Sequence, residues 1–97
     1  MNMQSLMAQA QRVQKELERA NEEIENSTFE GKSGAVKTTL SGKIVVTKIE
    51  ITDESILSDK EMLEDMVTVA VNDALSNVAK MKEEKLGKYA GGLGGLF

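Results

Sequence analysis

Residues 3–24 read MQSLMAQAQRVQKELERANEEI, and the apolar members of this stretch decide the fold. Met3, Leu6, Ala10, Val13, Leu17, Ala20 and Ile24 follow one another at spacings of 3, 4, 3, 4, 3 and 4. That alternation keeps all of them on one side of a helix for three heptads. Gln, Glu, Arg and Lys fill the positions between, and all are good helix formers. Arg12–Glu16 and Arg19–Glu23 stand four residues apart, which adds roughly 0.2–0.5 kcal/mol per pair at best. The spacing predicts a long helix over residues 2–26. Two of its seam positions are alanine, so the seam is narrow and predicts close approach by another helix.

The pattern changes at Ser27. Thr28, Val36, Thr38, Thr39, Ile44, Val45, Val46, Thr47, Ile49 and Ile51 are β-branched, which suits strands. Ser33-Gly34 and Ser41-Gly42 are turn dipeptides that divide the stretch into three runs. Short connections between successive runs require antiparallel pairing, so this segment predicts a three-stranded meander. Strict alternation puts Val45, Thr47, Ile49 and Ile51 on one side of the last strand, the side expected to be covered by helices. A second side carrying Val36, Leu40, Ile44 or Val46 is expected to have no cover within the chain.

Asp53 is placed to cap a short helical turn over residues 54–57. Ser58-Asp59-Lys60-Glu61 has the form of a capping box, with Ser58 ahead of the helix and Glu61 at its third position. Leu63, Val67, Ala70, Ala74, Val78 and Met81 then mark one face of a helix predicted over residues 59–86. Its first half is apolar nearly all round and should be buried; its second half should project into water. Gly91, Gly92, Gly94 and Gly95 crowd the last seven residues, and ordering so many glycines costs much backbone entropy. The expected organisation is one α+β domain over residues 1–90 and a flexible Gly-rich tail over residues 91–97.

Lengths bear on assembly. At 1.5 Å per residue the two helices span about 36 Å and 42 Å, against a diameter of about 34 Å for a compact domain of this size. Both overrun such a body. Together with an uncovered sheet face, this predicts a homodimer with projecting helical arms.

The inventory of side chains excludes most chemistry. The 97 residues contain no His and no Cys, which removes most metal sites, most nucleophile–base pairs and any disulfide framework. The glycines near the end follow a helix instead of opening one, so they form no phosphate loop. Carboxylates such as Glu22/Glu23 and Glu64/Asp65 read as solvated helix surface, and with aromatics limited to Phe29, Tyr89 and Phe97 no pocket is evident to shift their pKa values. A non-enzymatic protein with no cofactor and no small-molecule substrate is expected. No apolar run approaches the ~18 residues of a membrane span, and the first fourteen residues are too polar for a signal peptide. A cytoplasmic protein is expected.

The net charge of −4 argues against a nucleic-acid partner only until its distribution is read. Glu22, Glu23, Glu25 and Glu30 form an acidic run without a base. Lys32, Lys37, Lys43 and Lys48 form a basic run without an acid. Residues 50–65 are acidic again, and Lys80, Lys82, Lys85 and Lys88 outnumber Glu83 and Glu84. Arg12, Lys15 and Arg19 lie at i, i+3 and i+7 on the face away from the heptad seam. Lys82, Lys85 and Lys88 repeat a helical spacing near the exposed end of the last helix. Such stripes serve solubility or the helix macrodipole as readily as phosphate contacts, and the lysines of the strands could simply blunt a sheet edge.

Several stretches carry a resemblance to a known family. Leu6-Met7-x-Gln9-Ala10-Gln11-x-Val13-Gln14-x-x-Leu17 is similar to the opening helix of the YbaB/EbfC proteins. Ile49-Glu50-Ile51 before an acidic turn also matches. So does the Asp-Lys-Glu-Met-Leu-Glu-Asp stretch at residues 59–65, leading to Ala70-Val71-Asn72-Asp73-Ala74. The resemblance implies a cytoplasmic, nucleoid-associated homodimer that binds double-stranded DNA and alters its conformation, with roles in nucleoid organisation and gene regulation. It supplies no compact binding motif. The candidate DNA-binding residues Arg12, Lys15, Arg19, Lys80, Lys82, Lys85 and Lys88 rest on charge and expected exposure. Backbone neutralisation would carry the affinity, since no recognition helix rich in aromatics, Asn or Gln presents itself. The alternative is a protein-interaction module that docks through its amphipathic helices or its Gly-rich tail.

Overall fold

A computed structural model describes residues 2–93. Helix α1 spans Met3–Glu25, and strands β1, β2 and β3 span Thr28–Ser33, Val36–Ser41 and Val46–Ile51. A 3₁₀ helix, Glu54–Ser58, leads into helix α2, Lys60–Leu93. The α+β order predicted from the sequence is the order observed.

Local chemistry sets each boundary. The Asn2 side chain accepts from Ser5 N at 2.8 Å, starting α1, and Ser27 Oγ donates to the Glu23 carbonyl at 2.6 Å at its end. Asp53 caps the 3₁₀ helix by accepting from Ser55 N at 3.0 Å, and this bond holds its carboxyl below the usual aspartate range. The cap of α2 is Asp59, whose carboxylate accepts from Met62 N at 3.1 Å. Ser58, the residue predicted for that role, instead donates to the Ser55 carbonyl at 3.0 Å and closes the 3₁₀ turn. The preceding turn uses up the serine, and the helix starts one residue later. Helix α2 also continues through Gly91 and Gly92 to Leu93, beyond the predicted end at residue 86. The part of the expected tail at residues 94–97 lies outside the described residues.

The sheet has the order β1-β2-β3 with antiparallel neighbours. Gly34, at the first central position of the two-residue β1–β2 turn, has φ +53°, as a primed hairpin turn requires. Ile44 in the β2–β3 turn has φ +63°, a left-handed conformation that costs a β-branched residue roughly 1–2 kcal/mol. Bonds from Ser41 N to the Val45 carbonyl at 2.9 Å and from Ile44 N to the Ser41 carbonyl at 3.0 Å hold it there.

Register corrects the predicted faces. Val36 pairs with Ile51, Thr38 with Ile49, and Thr39 with Lys48, but Leu40 pairs with Val46. One residue, Thr47, is therefore bulged out of the ladder, and its hydroxyl donates to the Thr39 carbonyl at 3.3 Å. The bulge inverts the alternation, so Val46, not Val45, shares a side with Ile49 and Ile51. Directly paired residues share a face, which places Val36, Thr38 and Leu40 on that same side. The face expected to be apolar and uncovered is instead polar, with Glu30, Lys37, Thr39, Lys48 and Glu50.

Helix α2 lies across the apolar face and packs mainly on β1 and β2. Phe29, Leu40, Ala74 and Val78 form the buried cluster, with Leu75 and Met81 packed against it. Contact is closest at Gly31, where an added Cβ would run into the Ala70 carbonyl and the backbone of Ala74. The small side chains of Ala70 and Ala74 opposite a glycine let helix and strand meet almost backbone to backbone. Gly42 does the same for α1, lying against the Ile24 carbonyl while its N–H donates to the Ser27 carbonyl at 3.1 Å.

Beyond this body the molecule is elongated, measuring 69 × 22 × 15 Å with a radius of gyration of 19.2 Å. A compact chain of this length would have about 13 Å. The overrun predicted from helix length is observed: α1 and the distal part of α2 run antiparallel, with Glu16 beside Tyr89 and Glu23 beside Lys85.

Candidate nucleic-acid interface

Folding dissolves part of the charge segregation seen along the chain. Lys37 reaches Glu30 at 3.0 Å, Lys48 reaches Glu50 at 2.6 Å and Lys85 reaches Glu23 at 2.6 Å. The Glu30 hydrogen bond and charge raise the Lys37 pKa, and those of Lys48 lower that of Glu50. Lys37 meets Glu30 across the β1–β2 pair, and Lys48 meets Glu50 two residues along β3. Lys32 and Lys43 are exposed and form no ion pair among the described residues, so the basic run of residues 31–49 is half neutralised.

The arms differ. Among the described residues, Arg12, Lys15, Arg19, Lys80, Lys82 and Lys88 form no ion pair within 4.0 Å, and all six are exposed. Lys85 is the exception among the seven predicted site residues: it is half-buried and bound to Glu23. That bond, and the lysine's charge, hold the Glu23 carboxyl below the usual glutamate range.

Three of the predicted residues are brought together. Arg19, Lys85 and Lys88 line an open cleft of about 410 Å³ between the two helices. Glu16, Glu23 and Glu84 line it too, with Ala20 and Tyr89, so the cleft has as many acids as bases. Tyr89 donates its hydroxyl to Glu16 Oε2 at 3.0 Å, and Lys88 Nζ stands 5.0 Å from the centre of the Tyr89 ring. Arg12 and Lys15 lie outside the cleft, farther out along α1, and Lys80 and Lys82 lie nearer the sheet. The predicted cations thus form two stripes on one pair of arms, with a neutral cleft between. Sequence reasoning missed Glu16, Glu23 and Tyr89, because their partners are 62 and 73 positions away. Among the described residues no group of three or more acidic side chains could hold a metal ion, and no helix is long and apolar enough to cross a membrane.

Comparison with known proteins agrees with the resemblance read from the sequence. The model of the YbaB/EbfC DNA-binding family matches residues 1–93. A nucleoid-associated protein of Lactococcus lactis subsp. lactis is 49% identical over 96 residues, covering 96% of this chain and 97% of its own. One from Ligilactobacillus salivarius is 40% identical over 99 residues, covering 99% of this chain and 95% of its own. The crystal structure of an uncharacterised protein from Helicobacter pylori shares the fold, with a TM-score of 0.71 at 24% identity over 87% of this chain and 91% of that one.

Proposed function

The chain belongs to the YbaB/EbfC DNA-binding family, and from that premise we propose that it binds duplex DNA as a homodimer and alters its conformation. One observation carries the reading: among the described residues six of the seven candidate cations on the arms are exposed and form no ion pair, whereas on the strands Lys37 and Lys48 are taken up by Glu30 and Glu50. Arg12, Lys15, Arg19, Lys80, Lys82 and Lys88 are then phosphate ligands, with Lys85 among them once released from Glu23. Most contacts go to the backbone, so sequence preference is weak. Its relatives carry the name nucleoid-associated protein, and we place this chain likewise in the cytoplasmic nucleoid, organising DNA and influencing gene expression without catalysis.

The dimer follows from asymmetry between the two sheet edges. β1 is closed by side chains of α2, with Asp73 accepting from Lys32 N at 3.0 Å and Asn77 donating to the Glu30 carbonyl at 2.7 Å. β3 has no such cover among the described residues, and its Val46, Ile49 and Ile51 are 45%, 47% and 41% exposed. Val67, Val71 and Leu75 lie on the flank of α2 away from Asp73 and Asn77, half-buried above this strip. A second copy joined through β3 would bury both sets. Four arms would then project from a common body.

Gel-shift titration of random and defined duplexes at several salt concentrations tests the function. Roughly 4–6 phosphate contacts per dimer give a slope of log affinity against log salt of about −4 to −5. The net negative charge keeps binding weak, about micromolar, and sensitive to salt. The competing reading, a protein-docking module, draws on Met3, Leu6 and Met7 exposed at the tip of α1. Absence of duplex binding at low salt would favour it.

A further inference from the structure

Within the cleft, Lys85 is a predicted phosphate ligand already occupied by an anion. Its Nζ lies 2.6 Å from Glu23 Oε2, in a cleft that Arg19 and Lys88 also line. We propose that the Glu23 carboxylate holds the place on Lys85 that a DNA phosphate takes, making Lys85 a ligand in reserve and Glu23 its built-in competitor. This rests on the DNA-binding reading above and adds a regulatory contact to it.

A carboxylate and a phosphodiester are both monoanions offering two oxygens to an ammonium donor, so they compete for the same N–H groups. The exchange is easy. Exposed lysine–carboxylate pairs are weak, and the Glu23 side chain is 54% exposed, free to swing into water once replaced. Glu16 need not move, because the Tyr89 hydroxyl already holds it. A phosphate arriving at Lys85 would also meet Arg19 and Lys88, neither of them paired with an acid among the described residues. The same exchange removes a bond that ties α1 to α2, so DNA engagement loosens the two helices of each arm pair. Weak binding to the closed cleft and stronger binding to the opened one follow from a single displaced carboxylate.

The test compares Glu23→Gln with Glu22→Gln, which makes the same change of net charge one residue away, and repeats both in a Lys85→Gln background. Fluorescence anisotropy reads binding of each full-length variant to a random-sequence duplex at several salt concentrations. Glu23→Gln should tighten binding about 3- to 10-fold more than Glu22→Gln and steepen the salt slope by about 0.9 per subunit. That excess should vanish when Lys85 is glutamine. Glu23→Ala, which has no side-chain oxygen, should reproduce the gain. Equal gains from the two glutamate positions would reduce the effect to net charge and overturn the proposal. So would a gain that survives without Lys85. A parent protein that binds no duplex at any salt concentration would sink the DNA reading and this proposal together.

Discussion

Asn77 of α2 donates its side-chain amide to the carbonyl of Glu30, at 2.7 Å and across 47 positions of sequence. A helix side chain thereby occupies a backbone group that an edge strand would otherwise offer to another chain. Asn77→Ala should cost about 1 kcal/mol, visible in urea unfolding as a lower midpoint with an unchanged slope. Replacing Asp73 as well should free the whole outer edge of β1. Species larger than the parent assembly should then appear in light scattering; their absence would mean the edge needs no guard.

Two glycines of the same fold should respond in opposite directions to alanine. Gly31→Ala drives a Cβ into the α2 backbone, where nothing can yield, and should destabilise by about 3 kcal/mol or more. Gly87 lies within α2 with only Glu83 Cγ near an added Cβ, at 3.7 Å. Gly87→Ala should stabilise by about 1 kcal/mol through helix propensity. Thermal melting of both variants checks the pair.

Thr38 is fully buried and its hydroxyl finds no hydrogen-bond partner among the described residues. Thr38→Val keeps the branched shape and removes the unpaired group. Stability should rise by about 1–2 kcal/mol. A loss instead would point to a water or partner held by that hydroxyl in solution.

The dimer prediction turns on β3. Sedimentation equilibrium of the parent at micromolar concentration should give about 21 kDa, twice the chain mass of 10.6 kDa. Ile49→Lys with Ile51→Lys, both on the exposed part of the strip, should yield a folded species of 10.6 kDa or a strongly concentration-dependent melting point. A parent that sediments as a monomer would refute the assembly.

Replacing Arg12, Lys15 and Arg19 together by glutamine should flatten the salt slope and weaken all duplexes about equally, while the dimer survives. Parent-like binding at every salt concentration would make the stripe mere solvation. Loss of one sequence with retention of others would mean that the arms read bases.

What was legible in the sequence was whatever depends on near neighbours. The heptad spacing from Met3 to Ile24 and the face from Leu63 to Met81 specify helices because periodicity is a local property. The β-branched runs and the turns at Gly34 and Gly42 specify the meander for the same reason. Their lengths alone foretold a molecule too long for one compact body. Tertiary structure decided what depends on meeting across the chain. The bulge at Thr47 put Val46 instead of Val45 on the side of β3 that Ile49 and Ile51 share, because alternation is exact only while the ladder is unbroken. Pairing with Glu30 across the sheet took Lys37 out of the basic run of residues 31–49, since strand register, not sequence position, brought the two together, while Lys32 and Lys43 stay without an acid among the described residues. Lys85 and Lys88 look alike in the sequence, three residues apart on one helix. Only the packing of α1 against α2 gives Lys85 a carboxylate at 2.6 Å and leaves Lys88 without one among the described residues, because a charge acts on what lies within a few ångströms of it, wherever the chain has brought that group from.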